Sequence, residues 1–137
     1  MIAYRLTRRG YADLTGKGGL HASGRCHRRG TRIIYCSSSR ALAVLEVLVH
    51  VDTDNLPLDY VMLEISLPED IRFKRSTANG VLAESARPAF PVYVVPSAII
   101  REENNIILFP GHAEFRAAIV STTAFEFDDR LFKRRIR

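Results

Sequence analysis

The clearest alternation in the chain runs over Tyr60–Leu67. Val61, Leu63 and Ile65 fall on one side, and Met62, Glu64 and Ser66 on the other. A period of two is that of a strand with unlike faces, and Pro68 ends it. Arg40–Val51 has a different period. Ala41, Val44, Leu45 and Leu48 recur at helical spacing and predict a helix with that stripe toward the core. Ser37-Ser38-Ser39 offers it an N-cap hydroxyl. Ile2–Leu6, Thr31–Cys36, Val92–Val95 and Asn105–Phe109 are short apolar or β-branched runs, each predicting a strand. Glu114–Thr122 and Ala124–Phe127 read as two more extended segments, and Ala98–Ile100 follows the break at Pro96-Ser97. Asp52–Pro57 is a polar turn. Residues 70–91, interrupted by Pro88 and Pro91, read as loop. Many short strands with one good helix predict a mixed α+β fold with a largely antiparallel sheet.

At 137 residues the chain is expected to form a single domain over 1–137. Hydrophobic residues at 47 % and charged residues at 26 % exclude a disordered chain. No apolar run approaches the ~18 residues of a membrane span. Arg5, Arg8 and Arg9 open the chain without a following apolar stretch, so no signal peptide is expected and the cytoplasm is the expected compartment. Cys26 and Cys36 make no disulfide framework, and no Cys/His cluster has zinc spacing, so no metal is expected.

Charge is segregated. Residues 1–40 hold nine Lys/Arg against Asp13 alone, and residues 41–70 hold seven acids with no Lys or Arg. Seventeen of the 20 basic residues are arginine, whose planar fork grips phosphate and carboxylate bidentately. The basic first third suits a phosphorylated ligand, a nucleic acid or an acidic protein. It also suits a merely solvated face, as does the tail from Lys133.

Gly10–Gly30 contains Gly10, Gly16, Gly18, Gly19, Gly24 and Gly30, but Lys17 is followed by Gly18 and no helix opens there. Neither a P-loop nor a dinucleotide fingerprint fits. What remains is a glycine loop beside arginines, able to bring backbone N–H groups close to phosphate. Glu46 is the one acid within Arg40–Val51, with His50 a turn away. It reads either as part of a solvated stripe or as a carboxylate held by a packed helix against a cleft. By position alone Tyr35 reads as core, His112 as a loop residue and Ser121 as nothing in particular. No nucleophile elbow is present.

Together these fragments resemble the RES-domain family, the toxins of bacterial Xre–RES toxin–antitoxin pairs. The likeness rests on Tyr4-Arg5-Leu6, Gly24-Arg25 with Gly30, Ile33-Ile34-Tyr35, and above all the run Ser39–Glu46 with Val49-His50. Val95-Pro96-Ser97, then Asn105 with Pro110, His112 and Phe115, and finally Ser121, Phe125, Phe127-Asp128 and Arg130-Leu131 complete it. The resemblance implies an ADP-ribosyltransferase-like fold and NAD+ as substrate, with no metal. It implies catalytic roles for Glu46 and Ser121, and NAD+ binding by Arg25 and Tyr35. It further implies a cognate Xre-type antitoxin covering the site. The chain departs from the family pattern at Ser23, Cys26, His27, Phe109 and Gly111, and residues 76–91 look shortened, with no tryptophan.

The function expected is cleavage of the nicotinamide–ribose bond, with water or phosphate as acceptor, to arrest growth. Glu46 would stabilise the oxocarbenium-like transition state, Arg25 would bind the pyrophosphate and Tyr35 would stack on nicotinamide. Ser121 would hold the nicotinamide side or orient Glu46. One alternative is transfer of ADP-ribose to a protein such as phosphoribosyl-pyrophosphate synthetase. Another is a non-enzymatic nucleic-acid-binding module, disfavoured because no such motif is present, so no direct nucleic-acid contact is expected.

Overall fold

The computed structural model describes residues 1–77 and 88–132. Residues 78–87 of the expected 70–91 loop, and the tail from Lys133, lie outside the described residues. The elements are β1 (Ile2–Arg8), β2 (Ile34–Ser37), α1 (Arg40–Leu48), β3 (Tyr60–Ser66), β4 (Phe73–Arg75), β5 (Val92–Pro96), β6 (Asn104–Leu108) and β7 (Ala118–Ala124), with short 3-10 turns between them. One seven-stranded sheet runs in the order β4-β5-β6-β2-β1-β3-β7. Its neighbours are antiparallel except β4 and β5, which are parallel with Phe73 opposite Val92. The fold is therefore α+β, as expected.

Strand alternation assigns the two faces. Val61, Leu63 and Ile65 join Ala3, Ile34, Ile106 and Leu108 in one cluster, capped by Leu14, Phe115 and Ile119. The opposite face carries two smaller clusters. One holds Ile33, Tyr93, Val95, Ile107 and Phe109. The other joins Leu6, Ala43 and Met62 to Phe127. Between these two the sheet loosens. β1 and β3 pair along their whole length, from Ile2 opposite Ser66 to Arg8 opposite Tyr60. β1 and β2 pair only at Tyr4 opposite Ser37. The sheet parts beyond that point, and a cavity opens there beside α1.

Three expectations change. The helix ends at Leu48, and its core side is Leu42 and Ala43, while Ala41 and Leu45 are exposed. Only Arg40 and Glu46 are polar within α1, so apolar spacing leaves its rotation undetermined, and packing of Ala43 and Val47 near Met62 sets it. A strand, β4, lies inside the expected 70–91 loop and extends the sheet at its edge. The two late extended segments become one strand, β7. Beyond it Phe125 and Phe127 turn into an edge-to-face aromatic cluster, with centroids 5.0 Å apart.

Of the serine triplet, Ser39 is the N-cap. Its backbone is extended and its Oγ accepts the Leu42 N–H at 3.1 Å. Ser39→Ala is expected to cost about 1 kcal/mol of stability, read as a lower denaturant midpoint at unchanged slope.

Candidate functional site

The cavity between β1 and β2 has a volume of about 600 Å³, within the range of small-molecule sites. Arg5, Arg25, Tyr35, Glu46, His50 and Asn105 are among the side chains that line it. The structure thus brings together three of the four residues expected at the site: Arg25, Tyr35 and Glu46.

Glu46 faces the cavity from α1, one turn beyond the buried Leu42 and Ala43. Its Oε1 accepts two hydrogen bonds, from the Ser97 hydroxyl at 2.7 Å and from the Asn105 amide at 2.9 Å. The Ser97 hydroxyl is itself oriented, because it accepts the N–H groups of Ile99 and Ile100 at 3.0 and 3.1 Å. Its single proton is then directed at the carboxylate. Of the two readings of Glu46, the structure selects the held carboxylate over the solvated stripe.

Tyr35 is half-buried on β2. Its hydroxyl accepts the Cys26 N–H at 3.0 Å and lies 2.7 Å from His27 Nδ1. His27 Nε2 lies 2.8 Å from the Ala22 carbonyl, which can only accept. Nε2 therefore carries the ring proton of the neutral imidazole, and the Tyr35 hydroxyl donates to Nδ1. Burial pushes the Tyr35 phenol up to about 12, so it remains a donor throughout the neutral range. A Cβ on Gly24 would stand 2.6 Å from this hydroxyl, so the turn approaches Tyr35 closely only because residue 24 is glycine. The departures at Cys26 and His27 are thereby accommodated. Cys26 packs with Ile33, Val95 and Phe109, and His27 is buried, hydrogen-bonded at both ring nitrogens.

Arg25 projects from this tethered turn, exposed at the cavity mouth. Arg5 reaches the cavity from β1 and was read from sequence only as part of a strand. Its Nε is buried without a hydrogen-bond partner, and its terminal nitrogens make only long bonds of 3.4 Å to the Tyr35 carbonyl and the Thr7 hydroxyl. Burial pulls the guanidinium below its ordinary value, with Cys36 and Asp13 opposing. Among the described residues neither Arg5 nor Arg25 has a carboxylate within ion-pair distance. A guanidinium with its Nε buried and no anion beside it is costly, and a ligand phosphate would complete it.

Ser121 is not brought to this cavity. It stands on β7 opposite Glu64 and lines a separate groove with Arg40, Ala41, Val44 and Thr123. α1 separates the two, since Ala41 and Val44 face the groove while Ala43, Glu46 and Val47 face the cavity. The serine that meets Glu46 is Ser97, and the sequence signal that could have found it was the Val95-Pro96-Ser97 match. His112 is a loop residue as expected, with its Nδ1 accepting the Glu114 N–H at 3.0 Å.

A family model described as RES domain matches residues 2–129. Among characterised proteins, the chain is 39 % identical over 153 residues to a protein called Toxin Res from Photorhabdus laumondii, covering 97 % of this chain and 98 % of that one. It is 33 % identical over 150 residues to a Toxin Res from Pseudomonas putida, covering 96 % of this chain and all of the relative. A Sphingobium protein called Prs ADP-ribosylating toxin is 33 % identical over 121 residues, covering 74 % of this chain and 75 % of that protein. Among the described residues no helix is long and apolar enough to cross a membrane.

Tyr35→Phe keeps the ring and removes the tether. The Cys26 N–H and His27 Nδ1 lose their partner, so a stability loss of about 1–3 kcal/mol is expected. Hydrogen exchange at the Cys26 amide should accelerate more than exchange in β3, where no contact changes.

Proposed function

The chain belongs to the RES-domain family, and from that footing we propose that it is an NAD+-consuming toxin that cleaves the nicotinamide–ribose bond. The observation that carries the reading is Glu46, a carboxylate fixed by two donors in a cavity that also holds two arginines without carboxylate partners.

The dinucleotide enters with its pyrophosphate toward Arg25 and Arg5. Its negative charge supplies the anion that the half-buried Arg5 lacks among the described residues. The Tyr35 ring, held through its hydroxyl, offers a flat wall for the nicotinamide. As the glycosidic bond stretches, positive charge develops on the ribose, and Glu46 stabilises it. Oε1 is already engaged by Ser97 and Asn105, so Oε2 is the oxygen that meets the ribose. Neutral nicotinamide leaves with the bonding pair, and the acceptor adds to the ribosyl cation. Ser97, rather than Ser121, takes the orienting role beside Glu46. Water or phosphate as acceptor gives NAD+ breakdown. The name of the Sphingobium relative, Prs ADP-ribosylating toxin, supports a second reading, in which the acceptor is a protein such as phosphoribosyl-pyrophosphate synthetase. In either case the protein acts in the cytoplasm, as one domain, and a cognate Xre-type antitoxin covers the cavity mouth around Arg25.

Purified protein with NAD+ labelled in its adenylate half distinguishes the acceptors. Free ADP-ribose, a phosphorylated product or a labelled protein band each identifies one, and intact NAD+ under all conditions overturns the proposal. Glu46→Gln is expected to lower turnover roughly 10²–10³-fold, the scale for loss of one preorganised charge-stabilising group. NAD+ affinity should change far less, because the charge is needed once the ribose is cationic. Arg5→Ala and Arg25→Ala should instead weaken binding, since the pyrophosphate contact exists in the ground state. Equal loss of binding in the glutamate and arginine variants would contradict this division of roles.

A further inference from the structure

Asn105 is an unexpected residue for its place. It stands in β6, an inner strand, opposite Ser37 of β2 on one side and Val95 of β5 on the other. Asparagine is depleted in strands, and the next three residues, Ile106, Ile107 and Leu108, are buried and apolar. A polar side chain there breaks the local rule, and such breaks concentrate at functional sites.

Its two ends are distinguished by what they meet. Ser37, only 2 % exposed, donates its hydroxyl to Asn105 Oδ1 at 2.9 Å. The amide nitrogen then faces Glu46 Oε1 at 2.9 Å. A reversed amide would set its oxygen against a carboxylate oxygen and its N–H₂ against the Ser37 oxygen. Ser37 does not cap α1, which Ser39 does. Its hydroxyl instead joins a chain from β2 through β6 to the helix. The Ser97 hydroxyl approaches the same carboxylate oxygen from the segment after β5. Two donors from separate elements fix both the position and the plane of the carboxylate. Among the described residues Oε2 has no donor.

We infer that Ser37 and Asn105 form a positioning relay for Glu46, a role that rests on the NAD+-cleaving reading above. Asn105 is the positioning residue, and Ser37 acts through it by fixing which end of the amide points at the carboxylate. Neither touches the reacting atoms. Their work is to keep Oε2 where positive charge develops, without reorganisation at the moment of reaction.

The test is the steady-state kinetics of NAD+ cleavage by the full chain and three variants. Asn105→Ala should lower kcat about 10-fold or more, the scale of a lost hydrogen bond to a charged group, with KM for NAD+ within about twofold. Ser37→Ala should lower kcat less. The double variant should be no slower than Asn105→Ala, because a residue acting only through another adds nothing once that other is gone. Side chains serving only the sheet would lower the melting temperature and leave kcat intact. Asn105→Ala with kcat within about twofold of the parent, or losses that multiply in the double variant, overturns the relay while the proposed function stands. A parent chain that leaves NAD+ intact overturns both. Where Asn105→Ala does not fold, Ser37→Ala decides: reduced kcat at unchanged KM supports the relay, and parental kcat overturns it.

Discussion

A carboxylate set into an otherwise apolar helix has to find hydrogen-bond donors before that face of the helix can pack. Glu46 finds them far along the chain, in Ser97 after β5 and Asn105 in β6. Much else follows from that requirement. α1 turns Leu42, Ala43 and Glu46 inward and leaves Ala41 and Leu45 outside. β6 lies beside β2 in the register that sets Asn105 opposite Ser37. β5 ends where Pro96 stops the strand, so that Ser97 can close a turn on Ile99 and Ile100 and still donate to the helix. The charge is held by two groups presented on separate parts of the chain, Ser97 after β5 and Asn105 in β6. Among the described residues the carboxylate's hydrogen bonds come from neutral groups and it makes no ion pair.

The cavity itself comes from incomplete strand pairing. β1 stays with β3 over its full length and touches β2 in register only at Tyr4 and Ser37. A fully paired β1–β2 ladder would draw these strands together and leave no space for a ligand. The exposed backbone edge of β2 is used in part: the Tyr35 carbonyl accepts from Arg5 across the gap. The same strand carries Tyr35, whose hydroxyl ties down the turn bearing Arg25. A long glycine-rich connection, which from sequence alone could have been a mobile loop, is thereby anchored where it borders the cavity.

This division explains what the sequence could and could not disclose. Strict alternation in β3 identified both its faces, because only a strand places Val61, Leu63 and Ile65 together. The existence of α1 and its serine cap were equally legible. Its rotation was not, since a helix with two polar residues has no polar face to orient it. The short parallel strand β4 gave no signal, because Phe73, Lys74 and Arg75 are all exposed and three residues are too few to show a period. The resemblance points to Arg25, Tyr35 and Glu46, which meet at the cavity, and equally to Ser121, which stands across α1 from it. Ser97 lay inside a matched motif but carried no chemical signal of its own. Arg5 was obscured because one arginine in an alternating strand looks like a solvated position. Only the three-dimensional arrangement exposes its buried Nε.

The segregation of charge along the chain also takes on a physical meaning. Residues 1–40 are basic and residues 41–70 acidic. The antiparallel pairing of β1 with β3 folds these blocks onto each other. Arg8 is bidentate on Asp59, with its Nε 2.8 Å from Oδ1, and Arg40 lies 2.7 Å from Glu64 while stacking on the Tyr4 ring. These exposed pairs contribute little to stability. Their effect is on the field: they cancel basic charge along the β1–β3 flank and keep it from forming one continuous stripe. A nucleic-acid-binding surface needs that stripe, since its affinity rises with every phosphate neutralised. In this protein part of the charge is spent internally, and Arg5 and Arg25 are kept at the cavity. Cations lining the same cavity as a fixed carboxylate suit a ligand that is anionic in one part and becomes cationic in another during reaction. A dinucleotide losing nicotinamide has that character, and a polyanionic strand does not.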